Sequence, residues 1–175
     1  MDAVEVSTVV YLPPEEVYDF LIDFPRYAKY SEYLEEVRRD GDDSPGTEYD
    51  LQFAWWKLTY TARSTVTGVD RPERIDWKLI KDIDASGYWE VIPEPESAPE
   101  DEDDASRVQF VVEYAPDSAE SDAIDLPAFA SIDWLIEKVT PKIQAEAKQV
   151  VRRVVRDLEG QRREVTLEVH EAPSL

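Results

Sequence analysis

The sequence predicts an α+β fold, an antiparallel sheet packed on one long C-terminal helix, from three features. Between residues 2 and 114, short runs carry apolar side chains at every second position and are separated by turn residues, the pattern of half-buried strands. Between 132 and 158, Ile132, Leu135, Ile136, Val139, Ile143, Ala147, Val150, Val151, Val154 and Leu158 recur at helical spacing. Two short helical stretches bounded by prolines lie between the first strand and the rest. A long amphipathic helix that follows such a sheet buries its stripe on one sheet face.

Each element has a local reason. Val4, Val6, Thr8 and Val10 alternate with Ala3, Glu5, Ser7 and Val9, so residues 2–12 read as a strand. Pro13-Pro14 stops it, since neither proline donates to a ladder. Residues 15–22 read as a short helix, with Pro14 in its first turn and Glu15 and Glu16 at the positive end of its dipole. Asp23-Phe24-Pro25 breaks it, and a second short helix is expected around Arg26 to Tyr33. Strands follow near 34–39, 47–56, 58–69, 75–79, 88–92 and 107–114. Turns are read at 40–46, at 70–73 and at Asp84-Ala85-Ser86-Gly87. The acidic, proline-rich stretch 94–106 reads as a long solvated hairpin loop. In the last helix Ser131 suits the cap, Pro141 should kink or divide it, and Gly160 is a natural stop. Val165, Leu167 and Val169 alternate beyond it, which fits an extra strand or a frayed tail.

Composition excludes several functions. The chain has 175 residues, with 19 Lys plus Arg against 40 Asp plus Glu, a formal net charge of −21. A surface this acidic repels phosphate backbones and anionic headgroups, so neither nucleic acid nor stable membrane insertion is expected. There is no run of about 18 apolar residues and no signal-peptide pattern, which leads to the expectation of a cytoplasmic location. The absence of cysteine and the single His170 argue against thiolate nucleophiles, Ser-His-Asp triads and His- or Cys-ligated metals. The acidic run 100–104 lacks the glycine and closing glutamate of a calcium loop, and no Gly-rich phosphate loop exists. No metal and no cofactor are therefore expected. The acids are spread along the whole chain rather than gathered in a tail. The economical explanation is a protein of a salt-accumulating halophile, where molar salt shortens the Debye length to about 3 Å and screens self-repulsion.

The ordered segments Ser7 to Leu21, Asp23-Phe24-Pro25-Arg26-Tyr27, Pro72 to Trp77 and Gly87 to Pro93, with the long last helix, resemble the helix-grip superfamily. That superfamily includes START domains, Bet v 1 allergens, polyketide cyclases and coenzyme-Q-binding proteins. The resemblance spans about residues 2–159 and is strongest to the polyketide cyclase/dehydrase and coenzyme-Q-binding-like group. It implies a curved antiparallel sheet of about seven strands gripping the C-terminal helix around an apolar cavity, with residues 1–160 as the domain and 161–175 as an extension. Three features depart from it: the 94–106 insertion, Pro141, and the extension. The last two leave the helix end and a homodimer contact open.

Alternation places Tyr49, Leu51 and Phe53 on one face, as it does Tyr60, Ala62, Ser64 and Val66, then Ile75, Trp77 and Leu79, then Gly87, Trp89 and Val91, then Val108, Phe110 and Val112. If these faces meet the helix, Tyr49, Phe53, Tyr60, Trp77, Trp89, Phe110, Leu135 and Val139 are the candidate ligand contacts; ordinary core packing is the competing explanation. Of Trp55 and Trp56, one must face away from the core. Arg63 fits an inward anchor or a solvent-facing side chain between Thr61 and Thr65. Asp50, Asp76 and Glu90 would serve as acid or base only if burial moved their pKa values. Arg152, Arg153, Arg156, Arg162 and Arg163 suit the helix C-terminus and are expected to pair with nearby acids. The reading that follows is a binder of a lipid, isoprenoid or quinone-like molecule. The alternatives are a polyketide cyclase or dehydratase using cavity tyrosine and carboxylate groups, and a structural or chaperone-like partner protein.

The charge reading makes a direct prediction. In thermal melts, Tm should rise between dilute buffer and molar KCl; a Tm that falls over that range contradicts it.

Overall fold

A computed structural model describes residues 2–55, 58–115 and 132–171. Eight strands form one fully antiparallel sheet: β1 (Asp2–Val10), β2 (Leu34–Asp40), β3 (Glu48–Trp55), β4 (Leu58–Asp70), β5 (Arg74–Leu79), β6 (Asp84–Pro93), β7 (Ser106–Ala115) and β8 (Glu168–Glu171). Their order across the sheet is β2-β3-β4-β5-β6-β7-β1-β8. Helix α1 is Pro14–Leu21 and helix α2 is Ile132–Glu159. The α+β prediction holds, with one strand more than seven because the segment after α2 pairs its end with β1.

Several local expectations change. The second short helix is a six-residue 3-10 turn, Phe24–Lys29. It is closed by Ser31, whose hydroxyl accepts from the N–H groups of Tyr33 and Leu34 at 3.2 Å and turns the chain into β2. The turn expected at Asp84–Gly87 lies earlier, around Asp82, whose φ is +71°; β6 already begins at Asp84. The 94–106 loop holds a short 3-10 turn at Pro95–Ser97. It returns through buried Ala105 and Ser106, and its base is clamped by Arg107, which donates to Glu94 at 2.9 and 3.0 Å. Pro141 does not divide α2, which is one 28-residue helix, about 42 Å long. Trp56 and the expected cap Ser131 fall outside the described residues.

Register fixes the two faces. Cross-strand partners place Val4, Val6, Thr8 and Val10 of β1 beside Val112, Phe110, Val108 and Ser106 of β7. That row continues to Gly87, Trp89 and Val91 of β6, to Ile75 and Trp77 of β5, and through Leu79 and Val66 into β4 and β3. At one end of this face the core is solid. Val10, Tyr49, Val66, Ile75, Val91 and Val108 pack there with Val17 and Phe20 of α1, Phe24, Tyr30 and Val155 of α2. Val150, Val151, Val154 and Leu158 pack around them, so the last turns of α2 close that end.

Polar contacts lock the closure. Arg153 donates to the Tyr30 carbonyl at 2.7 Å, and Asp157 accepts from Tyr30 and, at 3.0 Å, from Lys29. Glu159, whose side chain is 3% exposed, pairs with Arg163 at 2.7 Å and accepts from the Tyr11 N–H at 2.8 Å. Arg163 also donates to the Val9 carbonyl at 2.7 Å and lies on the Tyr11 ring. This clamp steers the chain from α2 into β8, where Ser7 and His170 hydrogen-bond at 2.7 Å.

Two outcomes follow. Glu159→Ala leaves a largely buried guanidinium unpaired and should cost about 3 kcal/mol in urea unfolding, whereas exposed Arg162→Gln should cost almost nothing; equal costs would contradict the clamp. Burial raises the hydroxyl pKa of Tyr18, Tyr27, Tyr30 and Tyr49 above the usual value. Above about pH 10 the unfolded chain releases these protons and the folded chain keeps them, so stability should fall with rising pH. Tyr49→Phe should make that fall shallower; an unchanged slope would contradict it.

Candidate functional site

Along each central strand the same face passes from solid core to half-exposed apolar surface. Ile75 is fully buried, but Trp77 and Leu79 beyond it are half-exposed. Val91 and Val108 are buried, while Trp89, Phe110 and Val112 are half-exposed, as are Val4, Val6 and Leu51. Phe53 reaches 37% exposure. The space beside these residues, on the helix side of the sheet, is the candidate site. None of the concave-face positions named here carries a charge.

Three aromatic rings form its floor. Trp77 stacks on Phe110 at 5.9 Å and 11°, Trp89 lies 4.5 Å from Phe110, and Tyr27 meets Trp89 edge-on at 6.4 Å. Gly87 makes this possible. It sits opposite Trp77 in the ladder, and a β-carbon there would lie 2.8 Å from Trp77 Cζ2 and closer still to the Val111 carbonyl oxygen. The glycine that reads as a turn signal in sequence is therefore a strand residue under an indole.

The lip of the site is polar. Tyr60 donates to Asp82 Oδ2 at 2.6 Å. Lys81 lies 5.8 Å from the Tyr60 ring centre, and Lys142 of α2 lies 5.6 Å from that of half-buried Trp55, which brings α2 to this edge. Tyr27 donates to the Leu21 carbonyl, and burial holds its hydroxyl well above the usual tyrosine pKa.

Of the candidate contacts read from sequence, Trp77, Trp89 and Phe110 come together and Phe53 and Tyr60 stand at the lip. Tyr49 does not join them: it is 1% exposed in the solid end, donating to Asp43 at 2.5 Å. The side chains of Leu135 and Val139 lie outside the described residues. Arg63 faces out and pairs with Glu48 and Asp50 at 3.1 and 3.5 Å. Asp76 and Glu90 also face out, beside Arg74 at 3.1 and 3.9 Å. Sequence reasoning missed Tyr27 and Asp82, which are brought in by a 3-10 turn and a displaced hairpin turn. A separate cleft of about 220 Å³ lies at the β1 edge between Thr8, Tyr11, Ser97, Arg107 and Thr166; its arginines are engaged by Glu94, Glu159 and Glu168. Among the described residues no group of acids and histidine is arranged to hold a metal, and no helix is long and apolar enough to cross a membrane.

The family model for polyketide cyclase / dehydrase and lipid transport matches residues 1–155. The chain belongs to that family. Its fold is that of solved helix-grip structures of low identity. The Zhui aromatase/cyclase from Streptomyces sp. R1128 matches with TM-score 0.60 and 14% identity, over 90% of this chain and 93% of that one. TTHA0849 from Thermus thermophilus matches with TM-score 0.59 and 16% identity, over 90% and 97%. The structure of Ara h 8.0201 matches with TM-score 0.56 and 14% identity, over 91% and 98%. No curated protein matches the chain. The family match stops at 155, so the Arg163 clamp and β8 lie beyond the matched segment.

Gly87→Ala tests the floor. It should displace Trp77 from Phe110, change the near-UV circular dichroism and cost about 1–3 kcal/mol. Unchanged dichroism and stability would contradict the packing described.

Proposed function

We propose that this protein binds an apolar small molecule of lipid, isoprenoid or quinone type between the open half of its sheet and α2. The observation that carries the proposal is the uncharged floor of Trp77, Trp89 and Phe110, left half-exposed inside an otherwise acidic molecule. Folding pressure alone would bury such rings, each representing about 150–250 Å² of surface. An apolar ligand would cover them, with Tyr60 as a polar anchor at the lip and Leu135 and Val139 as contacts from the helix. The family's description, which includes lipid transport, agrees with this class of ligand. Residues 1–160 would form the binding unit, with 161–175 closing the sheet edge.

A second reading rests on one contact. The Tyr60–Asp82 hydrogen bond puts a hydroxyl next to a carboxylate at the lip, the pair that a cyclase or dehydratase would use to move a proton. The same family description includes such enzymes. Asp50, Asp76 and Glu90 have no part in it, since all three face out.

Native mass spectrometry of the protein purified from its own source should show a co-purifying apolar molecule. Phe110→Ala should weaken rebinding of that molecule roughly tenfold or more, a loss of about 1.4 kcal/mol or more. Under the carrier reading Tyr60→Phe removes the anchoring hydroxyl and should weaken binding, though less than Phe110→Ala does; loss of a catalysed conversion with binding retained would favour the enzyme. Protein that is repeatedly empty and binds no apolar probe would overturn both.

A further inference from the structure

The outward face of α2 reverses the charge of the molecule. Residues 138–156 hold Lys138, Lys142, Lys148, Arg152, Arg153 and Arg156 against one acid, Glu146, a net of 6 − 1 = +5. The remainder of the chain carries −21 − 5 = −26. Helical spacing gathers Lys138, Lys142, Lys148, Arg152 and Arg156 on one side, together with Pro141, Ala145 and Gln149, and all of these are exposed. The acids of this stretch turn elsewhere. Glu146 accepts from Arg153 at 3.2 Å and from the Glu32 N–H at 3.1 Å, and neighbouring Asp157 is taken by Tyr30 and Lys29.

The expectation that the basic cluster pairs with surrounding acids therefore holds for only part of it. Arg153 and Arg163 are paired. Among the described residues, none of the five side chains of the outward stripe has a carboxylate within 4.0 Å, although the chain contains 40 acids. The stripe is about 27 Å long, from the 18 steps of about 1.5 Å between Lys138 and Arg156.

We infer that the outer face of α2, from Lys138 to Arg156, docks an acidic helix or ridge of a partner protein. Charge complementarity selects the sign of the partner. Geometry selects its size. An extended polyanion, such as a nucleic acid or an anionic bilayer, would carry its charge beyond the stripe and meet the acidic remainder of the chain, within a Debye length of about 10 Å at 0.1 M salt. An acidic element of matching length meets only the stripe. Among the described residues of the stretch from Lys138 to Arg156, the large apolar side chains Val150, Val151, Val154 and Val155 pack on the core and leave none on the outward face to seat a helix in a bilayer interface. The stripe meets the pocket only at Lys142, whose ammonium lies 5.6 Å from the Trp55 ring at the lip, and the inference does not need a ligand in the pocket.

The test uses the full chain and a fluorescein-labelled helical peptide of about 20 residues with glutamates on one face, beside the same peptide with glutamines. Fluorescence anisotropy should show the acidic peptide binding at low salt, the glutamine peptide not binding, and affinity falling steeply toward about 0.5 M KCl. The variant K138Q/K148Q/R152Q/R156Q, which spares Lys142 at the pocket lip, should lose roughly tenfold or more in affinity, while R38Q on the far sheet edge should not. The four substituted side chains are exposed and make no ion pair among the described residues, so an unchanged Tm should confirm that the variant folds. Equal binding by the stripe variant would overturn the proposal, as would no binding by the acidic peptide. Tighter binding to phosphatidylglycerol vesicles or oligothymidylate would overturn it in favour of a membrane or a nucleic acid. Sedimentation showing a dimer that the stripe variant dissolves would assign the face to a second copy instead.

Discussion

Strand alternation keeps the inner face of the central strands, β3 to β7, free of charge, and everything else in this protein depends on that separation. With 40 acids in 175 residues, any slip of register by one position would bring Glu5, Asp50, Asp76 and Glu90 to the helix side, where each would be desolvated. Instead they lie on the convex face, and those beside arginines are paired there, as at Arg63 and Arg74. These exposed pairs contribute little individually. Their effect is to make the outward orientation tolerable while the valines and aromatics opposite define which face is inside.

The inner face then divides along its length. Where α1, the 3-10 turn and the last turns of α2 converge, the face is packed solid around Ile75, Val91 and Val155. Beyond that line, strands continue with apolar side chains that remain half-exposed. The closed end supplies the stability that the open end does not. The Glu159–Arg163 clamp and β8 fasten the end of α2 to the sheet edge, so the helix is held at one end.

The strands, their faces and the long helix were legible because period 2 and period 3.6 are set by backbone geometry and survive in any solvent. The aromatic floor was legible as a face, since Trp77, Trp89 and Phe110 lie on alternating positions. What composition and spacing did not carry was register. Only the pairing of Gly87 with Trp77 shows why a glycine stands there, and it turns an expected turn residue into a packing residue. Tyr49 and Phe53 share a face and one strand, yet one is core and the other lies at the lip, because α1, the 3-10 turn and the last turns of α2 converge on the end that holds Tyr49. Asp82 was hidden among the acids, and only its position in the displaced turn sets it beside Tyr60.

The central claim is that the half-exposed aromatic face is a binding surface and not unfinished core. Nitrogen-15 NMR of the indole N–H groups during titration with a long-chain isoprenoid alcohol tests it most directly. Saturable shifts are predicted at Trp77 and Trp89, with backbone signals of Arg63 and Arg74 on the convex face unmoved. Absence of any indole shift, or a uniform non-saturating drift across both faces, would contradict it.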